Sequence, residues 1–358
     1  MRLPSYLLAA AVALLALAAV ACGGDDDDDG GDTASPGATN TATNTPEPSG
    51  SITVYSGRSE ALVQPIIDDF EKDTGIEVNV KYAGTDALAA LLVEEGGRSP
   101  ADVYFSQDGG ALGAVREAGL LQKLPESITS LVPAHYRAGD GSWVGVSGRS
   151  RVVVYNPDLV TQSELPNSYK DLTAAAWKGK VGWAPTNASF QAFITAVREI
   201  DGEDAAKTWL NAMKDNGAKT YANNGAIVQA VAAGEIEVGL VNHYYLWGFV
   251  KDQGEGFKAK NHYLAAGDPG ALVNVAGAAV LKTSKNKPAA EAFVKYLLSQ
   301  HAQEYFANET FEYPLIEGAK PDARIKPLSE LKPPAIDLSD LSDLQGTLAL
   351  LRSTSVLQ

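Results

Sequence analysis

Cysteine occurs once in these 358 residues, at Cys22, so no intramolecular disulfide can form and no site built from several thiolates is available. Bases are also short: 29 Lys and Arg stand against 44 Asp and Glu, a net charge of −15. Such a surface repels a polyanion, which excludes nucleic acid as an expected partner. Histidine appears four times, at scattered positions, and the chain has no Gly-x-Ser-x-Gly elbow, no His-Glu-x-x-His and no phosphate-binding P-loop. Without those constellations the expectation is a protein that is not an enzyme. What the chain does have is length and 45% hydrophobic residues, enough for two domains that each bury a core.

The apolar run Tyr6 to Ala21 spans 16 residues behind Arg2. It is shorter than the roughly 20 residues a membrane-crossing helix needs and suits the core of a signal peptide, residues 1–21. The small residues Ala19-Val20-Ala21 leading to Cys22 are similar to the lipobox of bacterial lipoproteins, which implies lipidation of Cys22. Five aspartates, Asp25 to Asp29, then open a Gly/Thr/Pro-rich stretch, so residues 22–50 read as an acidic spacer that cannot bury enough apolar surface to fold. Residues 1–50 hold seven acids and one base. Subtracting them from 44 and 29 leaves 37 acids and 28 bases, a net −9 for the 308 residues from Ser51 onward.

From Ser51 strand and helix signals alternate. Ile52 to Tyr55 is β-rich, and Leu62, Ile66, Ile67 and Phe70 recur at helical spacing up to Gly75. Val78, Val80 and Tyr82 alternate as a strand, Asp86 to Glu95 is helical, and Asp102 to Phe105 is a strand again. Later segments continue the rhythm: Val152–Tyr155, Glu237–Val241 and Val273–Leu281 as strands, with Phe190–Ile200, Ala205–Lys214, Ile227–Ala233 and one long segment Pro288–Phe306 as helices. Ile336 to Gln358 also reads as helical. This is an α/β fold with mainly parallel sheets flanked by helices. In such folds ligands sit beyond the carboxyl ends of strands. That rule selects Ser56-Gly57-Arg58-Ser59, Ser106-Gln107-Asp108, Asn242-His243-Tyr244-Tyr245, and two polar helix starts, Pro185 to Ser189 and Asn223-Asn224-Gly225.

Several blocks, in order, resemble the bacterial ferric-iron substrate-binding proteins of ABC importers. They are Ile52 to Arg58, Arg98 to Val103, Val146-Ser147-Gly148-Arg149-Ser150-Arg151, Trp177-Lys178-Gly179, Asn242 to Tyr245, Asp268 to Val273, and Glu312-Tyr313-Pro314-Leu315. The resemblance implies a two-lobed, periplasmic-binding-protein-like fold of type II with hinge crossovers between the lobes. Residues 51–149 and 274–325 would form lobe 1, and residues 150–273 with 326–358 lobe 2. It further implies capture of Fe³⁺ outside the cytoplasm by a monomer anchored to the membrane by lipid, and delivery to an ABC permease and its ATPase.

By the same resemblance Tyr244 and Tyr245 bind the metal as phenolates. Fe³⁺ favours anionic oxygen, and a metal can hold a phenol ionised far below its ordinary pKa of about 10. Neighbouring tyrosines in a strand point to opposite faces, so to share one ion they must lie past its end, for which Asn242 is a plausible marker. A plainer reading makes Tyr244, Tyr245, Trp247 and Phe249 the aromatic face of a packed helix. The sequence departs from the family at Ser59, where a histidine is usual, at Gln107 in place of a glutamate, and at Phe190 in place of a third tyrosine. Two phenolates leave most positions of an octahedral ion open, and in the family carbonate, phosphate or water completes the shell. Thr186, Asn187, Ala188 and Ser189 at a helix start form the expected anion cradle. Arg58, Arg149 or Arg151 could add a charged fork, and Asn224 and Asn242 match family amides near the anion. His243 lies beside the pair and is expected to point elsewhere. The competing expectation is the same clamp holding an organic anion, a phosphonate or a thiamine-like solute.

Overall fold

The computed structural model describes residues 47–357; the signal segment, Cys22 and most of the spacer lie outside the described residues. Ten strands follow in chain order: β1 (Ser51–Ser56), β2 (Glu77–Tyr82), β3 (Val103–Ser106), β4 (Val144–Tyr155), β5 (Val181–Trp183), β6 (Lys219–Thr220), β7 (Val238–Asn242), β8 (Lys260–His262), β9 (Val273–Val280) and β10 (Tyr313–Pro314). The helices are α1 (Glu60–Thr74), α2 (Thr85–Glu95), α3 (Gly109–Glu117), α4 (Glu126–Thr129), α5 (Ala188–Asp201), α6 (Glu203–Asp215), α7 (Asn224–Ala232), α8 (Tyr244–Gln253), α9 (Lys287–Leu297), α10 (Gln300–Asn308) and α11 (Leu344–Ser353). Among the described residues no helix is long and apolar enough to cross a membrane.

Strand order runs β2-β1-β3-β9-β4-β7-β5-β6, with β8 and β10 also paired to β4. The outer strands are parallel as expected (β1 with β2 and β3, β5 with β6 and β7), but β9 and β4 run antiparallel to their neighbours, so each sheet is mixed. The 12-residue β4 belongs to both halves. Its residues Val144 to Ser150 pair with β9, and from Arg151 on it pairs with β7. The Arg151 N–H closes the junction by donating to the Leu272 carbonyl at 2.9 Å.

Two sets of cores flank this junction. One gathers Ile52, Val54, Phe70, Phe105, Phe293 and Phe306. The other lies on both faces of the second sheet, with Phe190, Phe193 and Trp209 on one side and Ile227, Val241 and Val250 on the other. Helical periodicity explains α1, where Val63, Ile66, Ile67 and Phe70 are buried and Gly75, at φ 68°, ends the helix with its N–H on the Glu71 carbonyl. The long helix expected over 288–306 is two helices. Ser299 caps the second by accepting the Ala302 N–H, while the Gln303 amide takes the Leu297 carbonyl at the end of the first, at 2.8 Å.

The C-terminal segment wraps both halves. Leu338 and Leu341 join the first core, and Leu350 and Leu351 join the second. It lies directly on α3 because Gly110 has no side chain; a Cβ there would stand 2.3 Å from the Leu341 carbonyl oxygen.

Candidate functional site

The strand does end at Asn242, and the tyrosines open α8. His243 makes the corner: its N–H donates to the Ser150 carbonyl (3.0 Å), its Nδ1 accepts the Ser150 N–H (3.2 Å), and its carbonyl receives the Asn261 amide (2.8 Å). Its ring stacks on Tyr313 at 4.5 Å. Burial pushes the imidazole pKa down to about 4, so the ring is neutral, with Nδ1 as acceptor. As expected for a residue adjacent to the pair, it turns away from the cleft and serves as an anchor.

Because the two tyrosines sit on a first helical turn, they are about 100° apart around the axis rather than on opposite faces. Their rings stack, with centroids 4.4 Å apart and planes 25° apart. Tyr244 is buried and Tyr245 half-buried, yet both line a cleft of about 980 Å³ together with Ser59, Gln107, Ala188 and Phe311. Tyr244 joins an apolar cluster with Phe311, Tyr313 and Ile325 while still lining the cleft, and Tyr245, Trp247 and Phe249 pack partly buried against the core on the other face of the second sheet.

Beneath the phenols lies an unusual concentration of buried charge. Arg58 and Glu312 form a fully buried bidentate pair, both bonds 2.9 Å, and Ser147 Oγ donates to the same carboxylate at 2.8 Å. Burial opposes the Glu312 carboxylate, but the charges of Arg58 and Arg149 outweigh it and hold its pKa below the usual range. The fork expected from Arg58 toward an anion is thus already occupied. Arg149 and Arg151 are as deeply buried, and each leaves two guanidinium nitrogens without a partner: Nε and Nη1 of Arg149, Nε and Nη2 of Arg151. Burial lowers the Arg151 pKa to about 9, and the groups that favour its charge are the phenols of Tyr245 and Tyr244, not a carboxylate. Burial raises the Tyr244 phenol well above its ordinary pKa, against the pull of Arg149 and Arg58.

The expected cradle is assembled in part. Asn187 caps α5, its side-chain oxygen accepting the Ser189 N–H (3.0 Å) and hydroxyl (2.6 Å). Ser189 Oγ also receives Arg151 Nη1 and Asn224 Nδ2, each at 3.1 Å. Ala188 reaches the cleft, and Thr186 is exposed at the entry to the turn. Asn242 pairs with Arg151 across β7 and β4, and with Gln107, Arg149, Arg151 and Ser189 it lines a void of about 10 Å³, the size of one water. Phe190 is not at the cleft; it packs in the second core against Trp183, Phe193 and Trp209.

No local sequence pattern assigns a role to Glu312, Phe311 or Tyr313. Glu312 partners a residue 254 positions away, and no local pattern announces such a pair. A carboxylate inside the otherwise apolar run Phe311-Glu312-Tyr313-Pro314-Leu315 was the available signal. The remaining histidines are structural or peripheral: His262 Nε2 lies 2.7 Å from the Pro166 carbonyl, and exposed His301 lies 2.9 Å from Asp69. Among the described residues no three His, Cys, Asp or Glu come together as they would to hold a metal.

Residues 65–333 match the family described as bacterial extracellular solute-binding protein, and the chain belongs to it. It is 37% identical over 295 residues to the Fe(3+)-binding periplasmic protein of Serratia marcescens, covering 81% of this chain and 86% of that protein. The fold superposes on iron-bound HitA from Pseudomonas aeruginosa with a TM-score of 0.80 at 37% identity, over 85% of this chain and 99% of that one. It also superposes on the Trichodesmium protein IdiA (FutA) in complex with iron and citrate, with a TM-score of 0.75 at 32% identity, over 85% and 99% of the two chains. The family and the Serratia marcescens relative are both described as binding proteins.

Proposed function

We propose that this protein captures ferric iron in the cleft through the phenolates of Tyr244 and Tyr245 and hands it to an ABC permease driven by an ATPase. The observation that carries the reading is the stacked pair at the start of α8 above buried guanidiniums with unpaired N–H groups, of which Arg151 has phenols and no carboxylate favouring its charge. A buried positive charge without a counter-ion is costly. Two phenolates offset only part of the trivalent charge, so the small anion would supply the counter-charge that the arginines lack, while the cation would keep the phenols ionised near neutral pH.

Chemically, iron meets the second lobe first. An anion such as carbonate or phosphate completes its shell from the cradle around Asn187, Ser189 and Asn224, drawing on the unpaired N–H groups of Arg149 and Arg151. Lobe closure then brings Ser59 and Gln107 over the ion and excludes water, which strengthens every charge interaction inside. Because the bound phenols have shed their protons, affinity rises with pH, and acid, reduction or forced opening releases the metal. Cys22 lipidation would tether the protein to the outer face of a membrane, within reach of the permease.

The test is a ferric titration of the folded region with and without carbonate, followed by visible absorbance and elemental analysis. A phenolate-to-iron band is expected, and Tyr244→Phe with Tyr245→Phe should abolish it and lower affinity by orders of magnitude with the fold intact. Iron retained at full affinity in that double variant defeats the assignment. A colourless site that takes up an organic anion or phosphonate instead establishes the competing ligand.

A further inference from the structure

Phe311 has a backbone φ of 58°, in the left-handed region that a bulky side chain rarely adopts. Its neighbours hold it there. On one side the Thr310 hydroxyl donates to the Phe306 carbonyl at 2.8 Å and reaches Glu312 Oε2 at 3.3 Å. On the other, Glu312 donates its N–H to the Phe306 carbonyl (3.0 Å), and its carboxylate is gripped by both terminal nitrogens of Arg58 and by Ser147. Tyr313 and Pro314 then pair with Gly148 and Ser147 of β4. An ordinary φ at Phe311 would redirect the chain on one side of it and separate Glu312 from Arg58 or Tyr313 from β4. The arrangement over-determines the strain, a pattern found where geometry serves a site.

The consequence is where the ring goes. Phe311 follows α10, whose Ala302 and Phe306 belong to the first core, but its own side chain leaves that core. It clusters with Tyr244, Tyr313 and Ile325 and lines the cleft beside both tyrosines. Tyr313, two residues on, supports His243 from the same side by stacking. Thus the strained segment touches both the corner that starts α8 and the first residue of the helix, bridging elements that belong to different cores.

We propose that Phe311 is a positioning residue for the tyrosine pair: its ring, turned out of the first core by a backbone that the buried Arg58–Glu312 pair clamps, is the wall that holds Tyr244 facing the cleft. This rests on the reading of the pair as the iron site. The role predicts that the ring matters for the metal complex and the left-handed backbone does not need the ring. Phe311→Asn and Phe311→Gly both tolerate positive φ and remove the aromatic wall, while Phe311→Tyr keeps the wall.

The experiment loads the unmodified chain and these variants with ferric iron and carbonate, records the visible band, and times iron loss to excess EDTA. In Phe311→Asn we expect a shifted or weakened band and iron loss at least tenfold faster in a metal-free protein that still unfolds cooperatively, at a lower melting temperature because a buried ring is lost; Phe311→Tyr restores both readouts. If Phe311→Asn or Phe311→Gly folds and shows the parent's band and release rate, the proposal is overturned. If both fail to fold, Phe311→Leu decides by the same two readouts, since it keeps apolar volume without an aromatic face. An unmodified chain that takes up iron without the band overturns instead the phenolate reading, and this inference with it.

Discussion

The two walls of the cleft are built from different materials. The second-lobe wall concentrates ionisable and hydrogen-bonding groups on rigid elements: the tyrosines on α8, Arg151 on β4, Asn187 and Ser189 at α5, Asn224 at α7. The facing wall offers exposed Ser59 and Glu309 and half-buried Gln107, and the guanidinium buried behind it, Arg58, is already committed to Glu312. The contrast separates two tasks. One wall holds the ligand chemistry, and the other supplies the structural clamp and the cover.

Breaking that division should have graded effects. Loss of both phenols removes binding altogether and is the largest. Next comes the clamp: Glu312→Ala leaves Arg58 buried without its partner and should cost about 3–5 kcal/mol in urea unfolding. A double change to apolar residues, Arg58→Met with Glu312→Leu, should cost less, because no charge is then stranded. Since the Glu312 carboxyl is held below its ordinary range, its contribution is present above pH of about 4.3 and is lost as pH falls further, a loss absent from Glu312→Ala. A loss of under 1 kcal/mol in the single variant would show that the clamp is not structural.

Asp86 gives a smaller effect of opposite sign. It lies in the first turn of α2 and lines an apolar chamber with Asp108, Gln191 and Leu341; burial, with the charge of Asp108 adding, pushes its pKa up to about 7. A raised carboxyl favours the fold when protonated, so its stabilisation is full below pH of about 3.9 and is lost as pH rises toward 7. Asp86→Asn should therefore stabilise the metal-free protein by on the order of 2 kcal/mol at pH 8 and by almost nothing at pH 4. Equal melting temperatures for parent and variant at both pH values would refute this. Smallest are the covers: Ser59→Ala and Gln107→Ala each remove at most a hydrogen bond to the ligand, so iron affinity should fall by less than about tenfold. A larger fall in a titration would make the first wall a partner in coordination.

Much of this was legible along the chain because it is local. Apolar spacing marks α1, Gly75 its end, and Asn242 the point where the strand gives way to the tyrosines. The break at Ser299 was hidden because Pro288 to Phe306 keeps its apolar face across both helices, so periodicity alone does not register the cap. Arg58 was legible as a charge near the site but not as a partner of Glu312, since a buried ion pair depends on which strands meet.

The sequence by itself determined the α/β rhythm, the placement of two phenols just past a strand, and the polar starts of α5 and α7, all set by interactions a few residues long. Only the tertiary structure decided that Arg149 and Arg151 lie buried with unpaired N–H groups, that Arg58 is spent on Glu312, and that Phe311 is bent into the cleft. Those outcomes depend on desolvation and on contacts between segments up to 254 residues apart, which acquire their energies only when the chain is packed.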